Sequence, residues 1–110
     1  MDYSKMSDHE INVKVGTAIG FVAKLMAVNK QTDYCNNPAD AWPIIKDNMI
    51  SLCAYKRENS GMKKVSWWEA DNFCKHITRD DNPLRAAMIV FLMMQDSANV
   101  PANSTGSDLR

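Results

Sequence analysis

Residues 82–95, Asn-Pro-Leu-Arg-Ala-Ala-Met-Ile-Val-Phe-Leu-Met-Met-Gln, constrain this chain more than any other stretch. Asparagine is a strong helix cap, and proline fits a first helical turn, where its missing N–H has no role. Beyond that start the run is apolar almost all round a helix. Leu84, Met88, Phe91 and Gln95 share one stripe, and Ala86, Ile89, Val90 and Met93 line the others. A helix written this way belongs in an interior, so the fold is expected to assemble around a helix from Pro83 to about Asp96. Its nine consecutive apolar residues, 86–94, fall far short of the ~20 that a membrane span needs. No membrane partner is therefore expected.

With 110 residues the chain has material for one domain, not two. Residues 97–110 are mostly small and polar, and read as a disordered tail behind a domain over 1–96. The three cysteines, Cys35, Cys53 and Cys74, are odd in number and form no C-x-x-C. With no signal peptide at the start, this points to a reduced, cytoplasmic compartment with buried thiols. Thirteen basic and thirteen acidic residues balance, so a general attraction to nucleic acid is not expected. Residues 56–79 are locally basic, with Lys56, Arg57, Lys63, Lys64, Lys75 and Arg79 against Glu58, Glu69 and Asp71. A solvated surface is the simpler reading of that excess.

Ser7 and Glu10 form a capping box, and Met6 and Ile11 have the spacing of a hydrophobic staple. A helix over 8–19 follows, with Ile11, Val15, Ala18, Ile19 and Val22 on one stripe. Gly20 is placed to end it, and 21–28 reads as a kinked continuation. Asn37-Pro38 starts another helix over 39–47, in which Pro43 must lie near the start or bend the axis. Residues 49–55 alternate as a strand, Asn59-Ser60-Gly61 is a turn, and 62–66 return as its hairpin partner. Residues 66–78 admit two readings. Ser66 and Glu69 could form a second capping box ahead of a helical stripe of Trp67, Ala70, Phe73, Cys74 and Ile77. The rival is a longer hairpin strand through Trp68 to Ala70, since Val65, Trp67 and Trp68 suit strands. Our reading takes the helix.

Two segments, residues 36–45 (Asn-Asn-Pro-Ala-Asp-Ala-Trp-Pro-Ile-Ile) and 82–95, resemble the signature stretches of the NinX family, and the opening residues 1–12 are similar to that family's start. These are small accessory proteins of lambdoid phages and prophages of enteric bacteria. The resemblance covers most of residues 1–96 and is weakest over 56–81. It implies a role in phage growth inside the host cell. It carries no catalytic residues and no cofactor to this chain.

Both signatures place Asn-Pro ahead of a charged third helical position, Asp40 in one and Arg85 in the other. An arginine at a helix N-terminus opposes the helix dipole and needs a partner. Asp40, Asp80 and Asp81 are the candidates. A packing clamp is the simpler role for such a pair, and a binding site the sharper one. Cys35, Cys53, Cys74 and His76 match no common zinc spacing, so no metal is expected. Cys74 and His76, two apart, would point to different sides of a helix, and His9 lies within the first capping box, so enzyme activity is not expected. No glycine-rich phosphate loop is present. Adjacent Trp67 and Trp68 cannot easily share one core, and an exposed Trp68 beside Lys63 and Lys64 could stack on a base or anchor a protein.

The sequence therefore points to a small α+β domain, two or three helices on a short antiparallel β-hairpin with the last helix buried. The expected function is non-enzymatic binding of a host or phage protein in the bacterial cytoplasm. Weak single-stranded nucleic-acid binding through 56–79 is the alternative. The candidate binding residues are Trp68, Lys63, Lys64, Arg85 and Asp40.

Overall fold

The computed structural model describes residues 2–57 and 65–98. Its elements run in the order of a 3-10 turn (Tyr3–Lys5), α1 (Asp8–Ile19), α2 (Phe21–Val28), α3 (Pro38–Asp47), β1 (Ser51–Arg57), β2 (Val65–Asn72), β3 (His76–Asp80) and α4 (Pro83–Ala98). The domain is α+β, and its described residues form four helices and a three-stranded antiparallel sheet in the order β1-β2-β3.

The capping signals set the helix starts. Ser7 Oγ accepts from Glu10 N while the Glu10 side chain accepts from Ser7 N, so the reciprocal box is formed. Asn37 Oδ1 accepts from Ala39 N at the start of α3. Asn82 Oδ1 accepts from the backbone N–H groups of Leu84 and Arg85 at the start of α4. Gly20, in extended backbone, separates α1 from α2, and the chain reverses sharply there. The reversal needs a second glycine. A Cβ on Gly16 would stand 2.7 Å from the Ala23 carbonyl oxygen, too close for any other residue.

The core is built on α4. Every residue from Ala86 to Leu92 is buried, and α4 touches all three strands as well as α1 and α3. Ile11 and Val15 of α1, Ala41, Ile44 and Ile45 of α3, and Ala70 of β2 close over it. Tyr3 caps the far end, its hydroxyl donating to the Asp96 carboxylate. Burial and that carboxylate together push the Tyr3 phenol up to about 12.

The helix expected over 66–78 is corrected to two strands. Ser66 lies within β2 and forms no helix cap. Pairing decided the outcome. β2 bonds along its length to β1 (Leu52↔Ala70, Ala54↔Trp68, Lys56↔Ser66) and to β3 (Ala70↔Thr78, Asn72↔His76). In this register Ala70 is wholly buried beneath α4 while Phe73 is exposed. The proposed helical stripe would have put those two residues on one side. The hairpin is thus one strand larger than expected, and the helices number four. The turn at 59–61 and the expected strand start at 62–64 lie outside the described residues, as does the chain beyond 98. Among the described residues no helix is long and apolar enough to cross a membrane.

Candidate functional site

At the start of α4 the two Asn-Pro segments converge through a polar network. The Arg85 side chain is nearly buried and uses its whole fork. Nε donates to Asp80 Oδ2 at 3.0 Å, and one terminal nitrogen donates to Asp8 Oδ1 at 2.6 Å. The other terminal nitrogen donates to the carbonyls of Met6 at 2.7 Å and Ser4 at 3.1 Å. Burial works against the charge, but the hydrogen bond to Asp8 and the fields of Asp80 and Asp8 outweigh it and raise the Arg85 pKa above its ordinary value. These contacts tie α4 to β3, α1 and the N-terminal turn.

Asn82 extends the network. Its side-chain amide donates to the Cys35 carbonyl at 2.7 Å and to Asn36 Oδ1 at 3.0 Å. Asn36 in turn donates to Asp8 and Asp33. Buried Asn12 bridges Asp33 Oδ1 and the Cys35 N–H at 2.9 and 3.1 Å. Asp40 is not a partner of Arg85. Its carboxylate accepts from the Asp33 N–H at 2.9 Å and fixes the loop between α2 and α3. Of the three acids proposed for Arg85, Asp80 pairs with it, and Asp8 is a second partner that sequence reasoning missed. With its donors committed inward, Arg85 acts as a clamp between elements.

The other predicted residues lie apart from this network. Lys63 and Lys64 fall outside the described residues. Trp68 shares the inner sheet face with buried Ala70, and Trp67 takes the outer face. Both tryptophans are half-buried. Trp67 stacks on Tyr55, with centroids 5.5 Å apart and planes at 9°. Arg57 and Arg79 lie 6.0 and 5.9 Å from the Trp67 ring. Arg79 is also held by Glu69 at 2.8 Å. Cys35 is buried as expected, and burial pushes its thiol up to about 12. Cys53 and Cys74 are exposed, which corrects the reading of three core thiols: Cys53 faces out from β1, and Cys74 sits in the β2–β3 turn. Among the described residues no group of three or more His, Cys, Asp or Glu side chains is arranged to hold a metal ion.

A different site emerges at the end of α3. Trp42, Met49 and Phe73 are each more than half exposed. They surround a cleft of about 320 Å³ whose lining also includes Ile45, Lys46, Ile50 and Ser51. Two of the three stand on left-handed backbone. Met49, with φ 53°, occupies the position after the α3 cap. The Ile50 N–H reaches back to the Ile45 carbonyl, and the Met49 N–H to that of Lys46. This is the Schellman pattern, in which glycine or asparagine normally takes that place. Phe73 and Cys74 have φ 50° and 64° and form the centre of the β2–β3 turn, closed by the Lys75 N–H to the Asn72 carbonyl at 2.9 Å. Turns with positive φ at both central residues are dominated by Asn-Gly and its relatives. Here they carry a phenylalanine and a cysteine. Local chemistry and local conformation disagree at both edges of one cleft, and such disagreements gather where function competes with stability. Sequence reasoning missed Met49 and Phe73 because each looked apolar and therefore internal.

No curated protein and no solved structure matches the chain. The family model described as Bacteriophage P22, NinX matches residues 2–95, which include both Asn-Pro segments, the clamp and all three aromatic and methionine edges of the cleft. This chain belongs to that phage protein family.

Proposed function

We propose that this chain is a non-enzymatic protein-binding module that acts in the host cytoplasm and docks a host or phage protein in the Trp42–Met49–Phe73 cleft. One observation carries the reading: Met49 and Phe73 hold large apolar side chains in solvent on left-handed backbone, beside exposed Trp42. Nothing in folding rewards that choice. Left-handed backbone costs a residue with a Cβ roughly 1–2 kcal/mol, and exposed apolar side chains gain nothing from water. Binding does reward it, because protruding aromatic and methionine side chains around an apolar floor are the usual anchors of an interface. The floor is Ile45 and Ile50, and Lys46 is the single charge in the lining. The fitting partner therefore presents an apolar side chain beside a carboxylate. Affinity capture from infected cells tests this. Wild type should hold one specific protein in high salt and Trp42→Ala should lose it, whereas equal capture by both would refute the site.

A second reading rests on the outer sheet face. The Tyr55–Trp67 stack flanked by Arg57 and Arg79 has the parts of a single-strand stacking platform. It places Trp67, rather than Trp68, at the nucleic acid. Tryptophan quenching by an oligonucleotide that weakens steeply with salt would favour it, and salt-tolerant capture through the cleft would not.

A further inference from the structure

Helix α2, Phe-Val-Ala-Lys-Leu-Met-Ala-Val, has one charged residue, Lys24. Its buried face is narrow. Ala27 is fully buried and the Ala23 carbonyl sits against Gly16, so the helix rests on α1 through its alanines. The opposite face holds Phe21, Leu25 and Val28 on one seam and Val22 and Met26 on the next, and all five are exposed, Phe21 at 74 % and Val22 at 68 %. Ile19, also exposed, continues this face at the end of α1. Lys24 borders the patch, one turn from Phe21 and Val28, and lines a groove with Lys14, Gln95 and Asp96. A helix this apolar is written for an interior, and the described residues supply only half of one.

We infer that a second copy of this chain covers α2, forming a two-fold homodimer. Area, charge and shape each favour the second copy over a foreign partner. The exposed parts of the six side chains present roughly 600 Å² per copy, so complete closure of two copies removes at most roughly 1,200 Å² from water, which reaches the lower bound for a stable specific interface. The six side chains of the patch carry no charge, although Lys24 and Asp47 border it, and strongly apolar faces are the mark of permanent like-with-like contacts. The surface is also self-complementary. Ile19 joins the patch to a groove of about 240 Å³ lined by Pro43, Ile44, Asp47, Asn48 and Phe91. A protruding Phe21 and a receiving groove on one surface are what a two-fold axis can exchange. The patch does not include the cleft edges Trp42, Met49 and Phe73, although its adjoining groove shares α3 with the cleft.

Sedimentation of the full chain at tens of micromolar tests the inference. The expected species has twice the 12.4 kDa of one chain. Leu25→Glu and Phe21→Glu, both at exposed positions, should each return it to one chain mass with unchanged circular dichroism and melting temperature at high dilution. Trp42→Ala should remain a dimer. Wild type that stays monomeric, or a dimer that survives Leu25→Glu, overturns the inference. Monomeric wild type that still captures its partner through the cleft would overturn this inference alone.

Discussion

Replacing Arg85 by methionine removes the clamp while keeping most of the side-chain volume. It takes the guanidinium from the Asp8 and Asp80 carboxylates, which keep only the Asn36 amide and the Asn82 N–H, and from the carbonyls of Ser4 and Met6. Removing one partner of a buried pair costs about 3–5 kcal/mol. Here the lower end applies. The Arg85 side chain is 12 % exposed, but that of Asp8 is 44 % exposed, and water can reach the abandoned carboxylate. A loss of about 3 kcal/mol is a large share of the 5–15 kcal/mol that holds a typical domain together. For a domain of this size it lowers the melting temperature by on the order of 15 °C. Arg85→Lys keeps the charge but cannot span two carboxylates and two carbonyls at once, so it should lose about half as much. Thermal and urea unfolding of the two variants, with Asp80→Asn and the double substitution Arg85→Met/Asp80→Asn to isolate the pair, give the measurement. If Arg85→Met melts within about 3 °C of wild type, the clamp is not what fixes α4, and the reasoning fails.

Two further outcomes follow from the same structure. Changing Phe73-Cys74 to Asn-Gly relieves positive φ at both turn centres, and should raise stability by about 1 kcal/mol after the added freedom of the unfolded glycine is set against it; urea unfolding reads this directly, and a loss of stability would mean the turn is not strained. Alkali should destabilise the fold. Tyr3 and Cys35 are both held protonated, each near 12 in the folded state against 10.0 and 9.0 ordinarily. Their contribution is complete below pH 9 and is lost as pH rises from there to about 12. Tyr3→Phe should flatten the upper part of that fall, and an unchanged profile would show that the Tyr3–Asp96 contact contributes nothing.

The helices were legible because their ends are written locally. Ser7 with Glu10, Asn37-Pro38 and Asn82-Pro83 each name a start within four residues, and Gly20 names a stop. The two strands over 65–80 were not, because Trp67, Ala70, Phe73, Cys74 and Ile77 satisfy a helical period while Val65, Trp67 and Trp68 suit strands. Only the partners β1 and β3 break that tie. The same register decides which tryptophan faces outward, and one residue of slip exchanges Trp67 for Trp68. Arg85 could be singled out from its clash with the helix dipole. Its strongest partner, Asp8, is 77 residues away, and no local rule reaches that far. The cleft was hidden for a different reason. A turn is recognised by its glycine or asparagine, and Phe73-Cys74 has neither. Where left-handed positions carry neither residue, sequence pattern does not report the turn.

The proposed function requires that the chain accept strain at Met49 and Phe73 in order to bind. The most direct test joins two readings on one variant, Phe73→Asn/Cys74→Gly: its melting temperature, and its capture of partner from infected cells beside wild type. The expected variant melts higher than wild type and no longer retains the partner. A variant that melts higher and captures as well as wild type would contradict that requirement.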